Sequence, residues 1–175
     1  MIRIEVNDRE VLQALQRLRR RMGDLTPVMD DIGELLIETT KQRFQTSTAP
    51  DGSRWAPNSP ATIRRYLKIM GGAFSKRTGG LTKRGARLAA SKKPLIGETK
   101  SLSTQISYRA DRTSVEVGSL MPYAAIHQFG GQAGRGRKVT IHARPFLPIK
   151  PDETLYDADK RRILDVIERF ITKSG

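Results

Sequence analysis

The sequence predicts an α+β fold: a small antiparallel sheet packed against two N-terminal helices and a C-terminal helix, with a long basic loop excursion. Three observations carry that reading. Apolar residues recur at helical spacing over two adjacent stretches ending near Thr46, and again after Pro151. Around Ala110–Thr113, short runs with period-2 alternation flank a tight turn. Between these patterns, periodicity fails in a run of prolines, glycines and basic residues. At 175 residues, the expectation is one domain, 1–175, with 47–101 an extended basic arm inserted in it.

In chain order, Ile2, Ile4 and Val6 alternate with Arg3 and Glu5, the pattern of a half-buried strand. Asn7 and Glu10 make a capping box for a helix to about Met22, with Val11, Leu15, Leu18 and Met22 on one face and Gly23 ending it. Thr26-Pro27 marks a second start, because proline in the first turn forfeits no hydrogen bond. Val28, Ile32, Leu35, Leu36, Thr39 and Phe44 carry this second helix to about Thr46. A short helix over Pro60–Met70, capped by Ser59, interrupts the proline-rich stretch around Trp55. From Gly71 to Pro94 the chain is too poor in large apolar groups to offset its ordering entropy, and no element is expected there. A hairpin follows, from Leu102–Tyr108 through Ala110–Thr113 into Ser114–Gly118. Tyr123–Phe129 forms one or two helical turns, Gln132–Lys138 is a basic glycine loop, and Lys138–Ala143 is a candidate strand. The last helix starts near Pro151-Asp152-Glu153, where acids favour the dipole, and buries Leu155, Ile163, Val166, Ile167 and Phe170.

Composition narrows the chemistry. Apolar residues make up 37% and mean hydropathy is −0.49, with no run long enough for a membrane helix and no signal-peptide core at the start. Cysteine is absent, so disulfide and thiolate chemistry are excluded. The expectation is a soluble protein folded in a cytoplasm. Net charge is +14, and from Pro50 to Gln105 twelve Lys or Arg face only Asp51 and Glu98. Such a segment suits a polyanion, or assembly beside one.

No catalytic pattern emerges. Only His127 and His142 could supply imidazole, without HExxH spacing, so neither a metal nor another cofactor is expected. No GxSxG elbow is present, and the glycine pairs lack the context of a phosphate loop. Glu34 and Glu38, one turn apart, read as a solvated or interface face rather than an acid/base pair. An enzyme is not expected. A sequence-independent DNA-binding protein using the basic 54–100 segment is the alternative, although no helix-turn-helix, finger or RNP pattern accompanies it.

Four blocks remain: Pro50-Asp51-Gly52-Ser53-Arg54-Trp55-Ala56-Pro57 with Ser59, Pro60 and Thr62; Leu95 to Ile106; Tyr123-Ala124-Ala125-Ile126-His127-Gln128-Phe129-Gly130-Gly131; and Ala143-Arg144-Pro145-Phe146-Leu147. Together, in this order, they resemble the phage virion morphogenesis family, which includes the Mu-like G protein and the P2-like tail completion protein S. One departure is Lys100, where the family carries glycine, which argues against a left-handed turn there. The resemblance implies a structural protein of the head–tail junction or upper tail, active in tail completion and head–tail joining. It implies a homo-oligomeric ring, with six subunits expected, built in the host cytoplasm and retained in the virion. Tail tube, connector or terminator proteins would be its partners, and transiting DNA a sequence-independent one.

On that reading Trp55, Tyr123, Ile126, His127, Phe129, Gly130, Gly131, Arg144, Pro145 and Phe146 are candidates for the subunit or partner interface. The alternative is that two or three of Tyr123, Ile126, Phe129 and Phe146 fill the subunit's own core. Arg64, Arg65, Lys76, Arg77, Lys83, Arg84, Arg87, Lys92, Lys93, Arg135, Arg137 and Lys138 are candidates to face DNA or a lumen.

Overall fold

The computed structural model describes residues 8–97 and 99–173. The expected strand Ile2–Val6, the Asn7 cap and the side chain of Met22 lie outside the described residues. Helix α1 spans Arg9–Met22, and its cap is Asp8, whose carboxylate accepts from the Glu10 and Val11 amides. Gly23, at φ 71°, ends it as expected. Helix α2, Thr26–Thr46, begins one residue before Pro27, and the Asp24 carboxylate takes both the amide and the hydroxyl of Thr26 at its entry. Val28, Ile32, Leu36, Thr39 and Phe44 are buried along it, with Leu35 at the margin.

Strands β1 (Ile106–Ala110) and β2 (Val115–Ser119) form the expected antiparallel hairpin, pairing Ile106 with Ser119 and Ala110 with Val115. Asp111 sets the turn by accepting from the Thr113 and Ser114 amides at 2.7 and 2.8 Å. The hairpin lies on α2, and the approach requires Gly33: a Cβ there would sit 2.2 Å from the Tyr108 ring. Leu102 belongs not to this strand but to a short helix, α5 (Ser101–Thr104).

Further on, α6 (Ala124–Phe129) covers the expected helical turns. The stretch read as a basic loop is the arm of a second hairpin, β3 (Gly131–Ala133) with β4 (Val139–Ile141), capped by a 3-10 turn at Arg135–Arg137. The last helix, α7 (Asp157–Lys173), starts later than Pro151–Glu153. Asp152 instead closes a turn on Thr154, and Leu155 bridges to Ile149, so the chain is committed to extended pairing until Asp157. Asp157 and Asp159 are then the first-turn acids.

Two cores result. One joins α1, α2 and α7 through Leu18, Val28, Met29, Ile32, Val166 and Ile167. The other gathers Phe44, Trp55, Leu102, Ile106, Ala124, Phe146 and Leu147.

The arm is more ordered than its composition suggests. Helix α3 covers Pro60–Met70 with Ser59 accepting from the Thr62 amide, as expected. The segment expected to lack structure contains α4 (Lys83–Ser91), capped by Thr82. Leu67 and Ala73 are buried in this segment, and hydrogen bonds and close backbone packing add to them. The Thr82 hydroxyl donates to Gly72 O at 2.9 Å, and Gly85 lies so near Ala73 that a Cβ would meet its carbonyl oxygen at 2.2 Å.

Candidate functional site

The 121–146 stretch folds into a junction whose logic begins with α6. Its inward positions are Ala124, fully buried, and Gln128, one turn later and also buried. The Gln128 amide is saturated by a single segment. Its Oε1 accepts from the Phe146 and Leu147 amides, both at 2.9 Å, and its Nε2 donates to Ile149 O at 3.1 Å and Leu147 O at 3.4 Å. Arg144 N–H donates to His127 O at 2.7 Å. Gly130, at φ 76°, leaves α6 toward β3, passing within 3.0 Å of Ala143 N and Ile141 O from where a Cβ would be.

The Trp55 block meets this segment from the other side. Asp51 accepts from the amide and hydroxyl of Ser53, folding the Pro50–Ser53 turn so that Trp55 returns onto Phe44. Its indole N–H donates to Pro145 O at 2.8 Å, while Arg144 donates to Ala56 O and Pro57 O, each at 2.8 Å. Phe44 stacks between Trp55 and Phe146, at 5.3 and 5.2 Å between ring centres. Beneath them Arg43 donates to Phe146 O at 2.9 Å and pairs with the buried Asp159 of α7. Burial pushes the Asp159 carboxyl up and the Arg43 guanidinium opposes it.

The ten interface candidates therefore divide. Trp55, Arg144, Pro145 and Phe146 join inside the subunit, with Trp55 6% and Phe146 0% exposed. Gly130 and Gly131 steer the chain, the latter under Ile126, which is half-buried. Tyr123 and Phe129 remain 41% and 39% exposed, and Leu120 and Val139 are exposed as well. His127 stacks edge-on against Tyr123 at 5.9 Å. Its pKa is lowered, first by burial and then by the Arg144 charge, so the ring is neutral near pH 7.

Of the basic candidates, Arg64, Arg65, Lys76, Arg77, Lys83, Arg84 and Arg87 are exposed along the arm, and Arg135, Arg137 and Lys138 at the β3–β4 tip. None forms an ion pair among the described residues. Lys92 and Lys93 are engaged at the arm's root: Lys92 lies over Tyr66 and donates to Ile96 O, and Lys93 donates to Gln45 O at 2.7 Å. The left-handed turn argued against at Lys100 is present, at φ 54° and ψ 14°. Its carbonyl accepts from the Ser103 and Thr104 amides at 3.0 and 3.1 Å, closing α5 and offsetting the steric cost.

Sequence reasoning did not single out Gln128, Arg43 or Asp159. The signal for Arg43 was its place on the apolar stripe of α2, seven residues beyond Leu36. Among the described residues no cluster of His, Asp or Glu could hold a metal ion, and no helix is long and apolar enough to cross a membrane.

Comparison with known proteins bears on this arrangement. Residues 6–172 match the model of the phage virion morphogenesis family. The chain is also 34% identical over 154 residues to Mu-like prophage FluMu G protein 2 of Haemophilus influenzae, covering 87% of this chain and 88% of the relative. No solved structure matches.

Proposed function

The chain belongs to the phage virion morphogenesis family, and from that premise we propose that it is a non-enzymatic tail completion or neck protein that acts as an oligomeric ring at the head–tail junction or upper tail. The observation that carries this reading is where the family-like blocks converge. Trp55, Gln128, Arg144 and Phe146 hold one another through backbone-directed hydrogen bonds, while Leu120, Tyr123, Phe129 and Val139 are left outside on that support. A rigid element presenting exposed aromatic groups is the anatomy of an assembly contact, since such anchors lose little rotamer entropy on docking. Tail tube, connector or terminator proteins are the partners proposed for this surface.

Native mass measured by light scattering, with and without phage tails, tests the proposal. A discrete multimer, in solution or only on tails, is expected. A monomer that ignores tails would refute it. A second reading, sequence-independent DNA binding, is favoured by the unpaired cations of the arm. It requires tight DNA affinity by the isolated monomer, falling steeply with salt.

A further inference from the structure

We propose that the outer face of α2 is the docking site for α3 of a second copy of this chain. The proposal rests on the ring reading and names the contact between its subunits. On α2, Asp31, Glu34 and Glu38 are exposed at spacings of three and four residues, so they form one row. None has an ion-pair partner among the described residues. Glu34 and Glu38 line an open groove of about 560 Å³ between α2 and β1, together with Ile37, Lys41, Gln42 and Tyr108. Asp30, Glu34 and Asp31 together raise the pKa of the Tyr108 phenol, behind burial as the first cause. From Asp31 to Glu38 this face is thus locally acidic, with Lys41 at its far end, on a chain of net charge +14.

The complementary face is on α3. It exposes Arg64, Arg65 and Lys68, again without ion pairs among the described residues, and next to them Ile69, 53% exposed. Glu34–Glu38 and Arg64–Lys68 each span one helical turn, about 6 Å along the axis. Two helices laid side by side would bring both rows into register and place Ile69 near the Ile37 side of the groove. Within one subunit the two faces do not pair. The arm's root is held at the end of α2 by Lys93 to Gln45 O and closed on itself by Asn58 to Lys92 O at 3.1 Å, and among the described residues no ion pair joins α3 to its own α2. A nucleic acid would meet the cations but leave the acids and Ile69 unmet, which is why a protein partner is favoured. Because two different patches meet, the contact is heterologous and can close a ring.

Complementary charge reversals test this. Glu34→Lys/Glu38→Lys removes the acidic face and Arg64→Glu/Lys68→Glu the basic one, both at exposed positions where folding, checked by circular dichroism and melting, should persist. Sedimentation velocity is run on each variant alone, on their mixture, and on each with phage tails. Each variant alone should self-associate at least tenfold more weakly than the unaltered chain. Their mixture should recover multimers larger than a dimer, because the intact acidic face of one variant meets the intact basic face of the other and the two reversed faces are again opposite in charge. Retention of the full multimer by both variants would overturn this contact while leaving the ring reading standing. An unaltered chain monomeric even with tails would overturn both. Loss of DNA retention by the α3 variant with unchanged self-association would assign α3 to nucleic acid instead.

Discussion

Gln128→Leu isolates the junction's central interaction. The substitution keeps a side chain of similar volume but leaves the buried amides of Phe146 and Leu147 without their acceptor, and Ile149 O without its donor. Each orphaned buried amide costs about 1–3 kcal/mol, so the two amides alone amount to about 4 kcal/mol. Greater apolar burial by leucine returns about 1 kcal/mol. A net loss of about 3 kcal/mol is a large share of the 5–15 kcal/mol typical of a domain. For a chain of 175 residues it should lower the melting temperature by about 6–12 °C. Urea titration should show a lower midpoint at unchanged slope, and hydrogen exchange should accelerate at the Phe146 and Leu147 amides. Gln132→Leu, at an exposed strand position, serves as control and should stay within about 0.5 kcal/mol. A loss below about 1 kcal/mol for Gln128→Leu would refute the reasoning, for the 146–149 segment would then hold its place without the amide.

Four further outcomes are expected. Gly33→Ala should destabilise by about 1–3 kcal/mol despite alanine's better helix propensity, because the methyl meets the Tyr108 ring; combining it with Tyr108→Ala should show a coupling of opposite sign in a double-mutant cycle. Gly85→Ala should open the α3–α4 pair, seen as faster proteolysis between residues 70 and 93 with little change in the melting of the main cores. Lys100→Gly should stabilise by about 0.5–1 kcal/mol in urea titration, since glycine adopts φ 54° without steric cost. The Asp111 carboxyl is held down to about 2 by the Thr113 amide and then by the Ser114 hydroxyl and amide. The turn's contribution should therefore be complete above the ordinary carboxylate value of 3.8 and disappear as pH falls through about 2, with an NMR titration midpoint near 3.8 counting against it.

Local patterning was a sound guide wherever a segment's partners lie close along the chain. Ser59-Pro60 announced α3, Thr26-Pro27 announced α2, and the alternation around Ala110–Thr113 announced the first hairpin, because caps, proline geometry and turn chemistry act within a few residues. The family-like blocks were legible as well, but not their role. Trp55 and Pro145 are 90 residues apart, and Arg43 and Asp159 are 116 apart, so no local rule could pair them. Order in the basic segment was missed because α4 is secured by Thr82 and by a glycine-to-backbone approach rather than by an apolar stripe. Lys100 entered the left-handed region because bonds to its carbonyl outweighed the side-chain penalty, a balance set by neighbours rather than by residue type. The sequence by itself determined α1, α2, α3, α6 and the body of α7, the first hairpin, the charge and the family. Only the tertiary structure decided which aromatic groups are consumed inside the subunit and which stay outside, since burial depends on how distant segments close over one another.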